Sequence, residues 1–227
     1  SRLYRVLAAA AGLAMGGCAS APPPGAPPLA STRPPGLAAA APSAFWDCIR
    51  ESGATLVSAH RGGPGPGYAE NALPTLRRTL AQGGMAMEVD IRQSRDGVLV
   101  LMHDDTLERT TTGRGRVADL TAAELARVQL RDPTGAAVDA TVPTLADALA
   151  LIRGRGQLQL DVKRGVPFEP VVAAVRAARA DRDVIVIGYS LRDAISVHRR
   201  DPRFVLSVPI AAVEDLENTL TAAWYNG

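Results

Sequence analysis

Short apolar runs and amphipathic stretches alternate through the second half of this chain. Residues 158–162 predict a strand, 170–180 a helix, 184–187 a strand, 191–199 a helix, 204–208 a strand and 211–223 a helix. Alternation of this kind predicts a parallel sheet or barrel with helices packed outside it. Upstream, residues 55–59 read as a further strand and 76–82 as a helix stopped by Gly83-Gly84. Thr121 with Glu124, and Thr144 with Asp147, have the spacing of capping boxes, so two helices are expected in the long excursion between Asp104 and Gly156.

The most informative pattern lies between Met87 and Thr112. Glu88 and Asp90 are two apart in a strand-like segment, and side chains at i and i+2 point to one face, so both carboxylates converge. Asp96-Gly97 is a strong hairpin signal, and residues 98–102 read as the returning strand. A two-residue loop at Asp96-Gly97 sets His103 directly across from Asp90. Oxygen-rich clusters suit hard divalent cations such as Mg²⁺ or Ca²⁺, and an imidazole nearby exchanges protons near neutral pH.

Composition narrows the classes of partner. The 227 residues, 47% of them hydrophobic, suffice for a sizeable core. A net charge of +2, few aromatics and no basic stripe argue against nucleic acid. Arg2 and Arg5 precede an apolar run at 6–15, too short to span a bilayer, and then Gly16-Gly17-Cys18. Residues 1–18 thus read as a signal peptide whose end resembles the lipobox of bacterial lipoproteins, with Cys18 as the lipidated residue and Met15 where Leu is usual; an ordinary cleaved signal ending in Ala19-Ser20-Ala21 is the alternative. Residues 19–42 are mostly Ala, Pro, Gly and Ser, a composition that makes an extended tether. The folded domain is expected from about residue 44 to 227. An exported protein, lipid-anchored on the periplasmic side of a bacterial membrane, follows from that reading. Cys48 is then left unpaired and no disulfide framework is implied.

His60-Arg61 closes the first strand and feeds a Gly/Pro-rich loop, which lets backbone approach a ligand while the guanidinium grips phosphate. Asp161 and Lys163 share a face at the end of another strand. His198, in a helix among arginines, reads as a solvated surface residue. Ala59-His60-Arg61-Gly62, Glu70-Asn71, Glu88-Val89-Asp90, Asp96-Gly97, and His103-Asp104 with Leu107, Arg109, Thr110 and Thr111 together resemble the glycerophosphodiester phosphodiesterase family, over about residues 56–201.

That resemblance implies an α/β fold, a (β/α)8 TIM barrel with its site at the C-terminal ends of the strands and a small helical insertion at about 104–156. It implies His60 and His103 as general acid and base, Arg61 and Lys163 as phosphate contacts, and Glu88, Asp90 and Asp161 as ligands of a Ca²⁺ or Mg²⁺ ion. The family has Glu where Asp161 stands and commonly Thr where Ala72 stands, so altered metal affinity is expected rather than loss. The implied activity is hydrolysis of a small glycerophosphodiester to sn-glycerol 3-phosphate and an alcohol. Phospholipase D-like cleavage of intact phospholipid and a non-catalytic surface lipoprotein are the alternatives. Five barrel strands are countable where eight are needed, and the chain starts with Ser1, so a longer reading frame is expected.

Overall fold

The computed structural model describes residue 51, residues 56–84 and residues 86–209. The expected signal peptide, Cys18, the tether, the start of the domain near 44 and the helix at 211–223 lie outside the described residues.

The chain runs through β1 (Ser58–Ala59), a 3₁₀ turn (His60–Gly62), α1 (Leu73–Ala81), β2 (Ala86–Gln93) and β3 (Leu99–Leu101). It continues through α2 (Ala122–Leu125), β4 (Gln129–Arg131), β5 (Ala137–Thr141), α3 (Leu145–Ile152) and β6 (Gln157–Val162). Then come α4 (Phe168–Ala177), β7 (Val184–Ile187), α5 (Leu191–Arg200) and β8 (Val205–Ser207). Five parallel strands stand in the order β1-β2-β6-β7-β8, with β3 added antiparallel to β2. Each parallel neighbour is the next barrel strand in sequence, the order of a (β/α)8 wall.

Alternation explains the layers. Met87, Val89 and Ile91 of β2 join Leu158, Leu160 and Val162 of β6 in a core that also holds Leu76, Leu149, Ile152, Val171 and Val175 from the helices. The intervening Glu88 and Asp90 occupy the other face of β2. Pro74 sits in the first turn of α1, where a missing N–H costs nothing, so this helix opens three residues before the apolar periodicity suggests. Both expected capping boxes form: Thr121 accepts from Glu124 N, and Thr144 from Asp147 N.

The hairpin differs from its sequence-based register. Ile91 faces Leu101, Arg92 faces Val100 and Gln93 faces Leu99, while Met102 N donates to Asp90 O at 3.0 Å. Met102 therefore stands across from Asp90, and His103 falls one residue beyond. The cause is Ser94, whose N donates to Val98 O at 2.9 Å and whose Oγ accepts from Val98 N at 2.9 Å. The loop becomes three residues, Arg95-Asp96-Gly97, with Gly97 at φ 83, a conformation that favours glycine.

Between β3 and β6 the chain adds an antiparallel ribbon, β4 with β5, that the sequence reading does not contain. A second apolar cluster, including Val100, Met102, Leu107, Leu125 and Leu130, lies under it. Asp132, just after β4, accepts from Gly67 N at 2.7 Å and so ties the Gly/Pro-rich loop to the ribbon.

Candidate active site

The site forms at the C-terminal ends of β1, β2 and β6. Asp90 and Asp161 are direct partners in the β2–β6 register, and Glu88 precedes Asp90 by two on the same face. Ligand atoms of Glu88, Asp90 and Asp161 lie within 4.8 Å of one another. Asp90 is 1% exposed, with its Oδ1 fully buried. Burial, and then repulsion from Asp90, push the Glu88 carboxyl up to about 7.

Lys163 follows Asp161 by two and reaches back into the cluster. Its Nζ is 2.6 Å from Asp90 Oδ1 and 2.7 Å from Asp161 Oδ2. Burial works against the ammonium, yet hydrogen bonds to Asp161 and Asp90 prevail and hold its pKa above the usual lysine range. Tyr189, just past β7, donates its hydroxyl to Asp161 Oδ1. A cleft of about 330 Å³ opens beside these groups, lined in part by Lys163, Arg164, Phe168 and Tyr189.

His60 and Arg61 sit on the turn after β1. Arg61 has φ 51 and ψ 32, left-handed backbone for a residue with a side chain. Two contacts hold it there: Arg61 N donates to Glu88 Oε2 at 2.8 Å, and Asn71 N donates to Arg61 O at 3.0 Å. A Cβ on the next residue, Gly62, would meet Leu76 Cδ2 at 2.7 Å, so the turn packs directly on α1. The His60 side chain is 74% exposed, with Nε2 3.9 Å from Glu88 Oε2. Arg61 places Nη1 3.1 and 3.0 Å from the two oxygens of Glu70, while its buried Nε has no hydrogen-bond partner among the described residues.

Asn71 locks the edge of β2 between β1 and β3. Its Nδ2 donates to Asp90 Oδ2 at 2.7 Å and its Oδ1 accepts from Asp90 N at 3.0 Å, with Asn71 itself at φ 56. The side chain thus replaces a missing strand neighbour where backbone pairing lapses.

His103 follows β3 and is linked to Arg61 through Asp104, Arg109 and Glu70. Its carbonyl accepts from Arg92 Nε at 3.0 Å and Nη2 at 2.7 Å, and its Nδ1 lies 2.6 Å from Asp104 Oδ1. Arg109 first, then His103, hold Asp104 well below the usual carboxylate range, although burial opposes them. An ionised Asp104 only accepts, so in the neutral imidazole the proton sits on His103 Nδ1 and Nε2 is the nitrogen left free.

The sequence reading assigned no role to Glu70, Asn71, Arg92, Asp104, Arg109 or Tyr189. Arg92 continues the i, i+2 series of Glu88 and Asp90, a signal that was present. Tyr189 carries no such signal, since only the β6–β7 register brings it beside Asp161.

The donor set fits a hard divalent cation. Three carboxylates offer only oxygen, and their ligand atoms lie close enough together to share one ion.

Residues 60–201 match the model of the glycerophosphoryl diester phosphodiesterase family. A glycerophosphodiester phosphodiesterase of Caldanaerobacter subterraneus is 32% identical over 149 residues, 61% of each chain. Human glycerophosphodiester phosphodiesterase 1 is 39% identical over 98 residues, 40% of this chain and 28% of that one. The solved glycerophosphoryl diester phosphodiesterase of Parabacteroides distasonis superposes with a TM-score of 0.69 at 35% identity, covering 74% of this chain and 58% of that one. That of Agrobacterium tumefaciens gives 0.60 at 30%, covering 67% and 65%. The chain thus spans less than two thirds of the length of these relatives, and its parallel strands follow their TIM-barrel fold. By its sequence and by its fold, this chain belongs to the glycerophosphoryl diester phosphodiesterase family.

Proposed function

We propose that this protein hydrolyses glycerophosphodiesters to sn-glycerol 3-phosphate and an alcohol, with a divalent cation, Ca²⁺ or Mg²⁺, held by Glu88, Asp90 and Asp161. The observation that carries the reading is the buried three-carboxylate cluster with Lys163 and Arg61 at its rim. A phosphodiesterase of Oleispira antarctica, 26% identical with a TM-score of 0.60, is solved in complex with the product sn-glycerol-3-phosphate, which supports the same substrate class.

A bound cation supplies charge compensation and polarises a phosphoryl oxygen. Arg61 offers its guanidinium and Lys163 its ammonium to the remaining phosphate oxygens. His103, with its proton on Nδ1, presents a basic Nε2, and His60 stands exposed beside Glu88. Of the two histidines, one takes the proton of the attacking hydroxyl and the other gives a proton to the leaving alkoxide. The P–O bond to the alcohol breaks, and water provides the new oxygen and both protons of the products. The cleft beside Lys163 and Tyr189 gives room for the alcohol part.

We also propose a lipid anchor at Cys18 that holds the domain on the periplasmic side of a bacterial membrane. What supports it is the sequence alone: Arg2 and Arg5, the apolar run at 6–15, and Gly16-Gly17 before Cys18.

The test is release of glycerol 3-phosphate from glycerophosphocholine, with and without chelator, by the wild-type protein and by His103→Ala. Release that needs both the cation and His103 is expected, with the variant slower by about 10²–10⁴-fold. Release unaffected by chelator and by His103→Ala would refute the mechanism, and cleavage of micellar phospholipid alone would redirect the substrate class. Labelling by radioactive palmitate that is abolished in Cys18→Ala checks the anchor.

A further inference from the structure

Two arms of the site, which come from different loops, meet on one carboxylate. Glu70 accepts from Arg61 Nη1 at 3.1 and 3.0 Å, and from Arg109 Nη2 at 2.9 Å and Nη1 at 3.1 Å. Arg109 turns its other edge to Asp104, with Nε 2.6 Å from Oδ2 and Nη2 2.9 Å from Oδ1. Asp104 in turn holds His103 Nδ1 at 2.6 Å. The result is an unbroken row, Arg61–Glu70–Arg109–Asp104–His103, in which every link is charge-assisted; Arg109 makes a paired contact with each carboxylate, while Arg61 offers Nη1 alone to both Glu70 oxygens.

We propose that Glu70 and Arg109 are positioning residues that couple the phosphate-gripping Arg61 to the tautomer and aim of His103. The inference rests on the functional reading above and assigns Glu70, Arg109 and Asp104 no contact with substrate. The chemistry of the row gives the direction of the effect. Asp104 alone is a short side chain on a loop, free to turn either oxygen. Arg109 engages both of its oxygens and so fixes the carboxylate plane, and a fixed acceptor at Nδ1 selects one imidazole tautomer. Arg109 is itself half exposed and needs an anchor. Glu70, of which only 14% of the side chain is exposed, is that anchor. Because Glu70 also holds Arg61, a displacement at one end of the row moves the other. Networks of this kind show coupling beyond pairwise contacts.

The experiment reads the imidazole directly. The chain has three histidines, so protein labelled with ¹⁵N-histidine gives three ring systems, assigned with His60→Ala and His198→Ala. In the wild-type protein His103 should appear as the Nδ1–H form. Asp104→Asn should convert it to mixed or Nε2–H form and lower kcat by about 10²–10⁴-fold with little change in KM, the pattern of a lost orienting carboxylate. Arg109→Met and Glu70→Gln should loosen the same tautomer, and Glu70→Gln should also raise KM, since it frees Arg61. Arg109→Met also guards against a folding failure in Glu70→Gln, because its side chain is half exposed. An unaltered His103 spectrum in Arg109→Met and Glu70→Gln would overturn the coupling. A tautomer that responds in a protein with no phosphodiesterase turnover would keep the coupling and reject the functional reading instead.

Discussion

Glu88 carries the prediction with the clearest sign. Its carboxyl is pushed from 4.5 up to about 7 by burial and by Asp90. The folded state therefore holds a proton that the unfolded state releases between those values, so stability falls as pH rises across that interval. Below about 4.5 both states are protonated and above about 7 both are ionised, so the dependence is confined between them. A shift of about 2.5 units corresponds to about 3 kcal/mol, at 1.36 kcal/mol per unit.

The assay is urea unfolding at several pH values, in chelator, of the wild type and of Glu88→Gln. The amide keeps an acceptor for Arg61 N, which Glu88 now provides through Oε2, and removes the titration. The difference in stability between the two proteins isolates Glu88 from the depressed carboxylates, Glu70 and Asp104, whose losses fall at lower pH. Relative to Glu88→Gln, the wild type should lose about 3 kcal/mol between pH 4.5 and 7.5. A cation that binds the ionised cluster reverses this: at a hundred times its Kd it restores about 2.7 kcal/mol, and only above the carboxyl's titration. A pH-independent difference between the two proteins, or a wild type that gains stability relative to Glu88→Gln as pH rises, would refute the assignment of burial and Asp90 as the cause.

Three further outcomes follow from the geometry. Asn71→Ala removes two buried hydrogen bonds to Asp90 and sets alanine, which tolerates left-handed backbone less well than asparagine, at φ 56, so it should cost about 3–5 kcal/mol in urea unfolding, and Asn71→Gly about 1 kcal/mol less. A glycine variant no more stable than the alanine variant would show that backbone strain is irrelevant there. Tyr189→Phe removes the hydroxyl that orients Asp161 and should weaken Mg²⁺ or Ca²⁺ binding by about tenfold or more in calorimetry, with little effect on stability. Gly62→Ala, at φ 82 and against Leu76, should destabilise by about 2 kcal/mol and slow turnover, and Leu76→Ala in the same chain should recover part of the turnover while losing core stability.

What was legible in the sequence depended on the range over which each signal acts. Strand and helix alternation from residue 157 to 207 and both capping boxes are local patterns, and the structure follows them closely. The convergence of Glu88 with Asp90 needs only the two-residue period of a strand. The hairpin is the instructive failure. Asp96-Gly97 marks the turn, yet the Ser94 side chain bonds Val98 N and Asp96 Oδ1, which lengthens the loop by one residue and moves His103 off the position across from Asp90. A single hydroxyl outweighed the dipeptide signal because register has no memory beyond its nearest ladder bonds. Tyr189 beside Asp161 is not legible at all, since it depends on strand neighbours 28 residues apart in sequence.

Asp161 stands where the resemblance implies Glu, and its neighbours give that expected difference a physical meaning. A carboxylate one methylene shorter reaches less far from β6, and both of its oxygens are already engaged, Oδ1 by Tyr189 and Oδ2 by Lys163. Lys163 also sits on Asp90, so its ammonium bridges two members of the acidic cluster. A cation entering the cluster competes with that ammonium, and the displaced Lys163 is left at the rim, where a phosphate needs a positive partner. Affinity for the cation and affinity for the phosphate are therefore linked through one side chain. Lys163→Met should tighten cation binding measured without substrate while raising KM for glycerophosphocholine, whereas a simple structural role would weaken both. If calorimetry shows weaker Mg²⁺ and Ca²⁺ binding in Lys163→Met, the ammonium supports the cluster instead of competing for it, and this account of Asp161 fails.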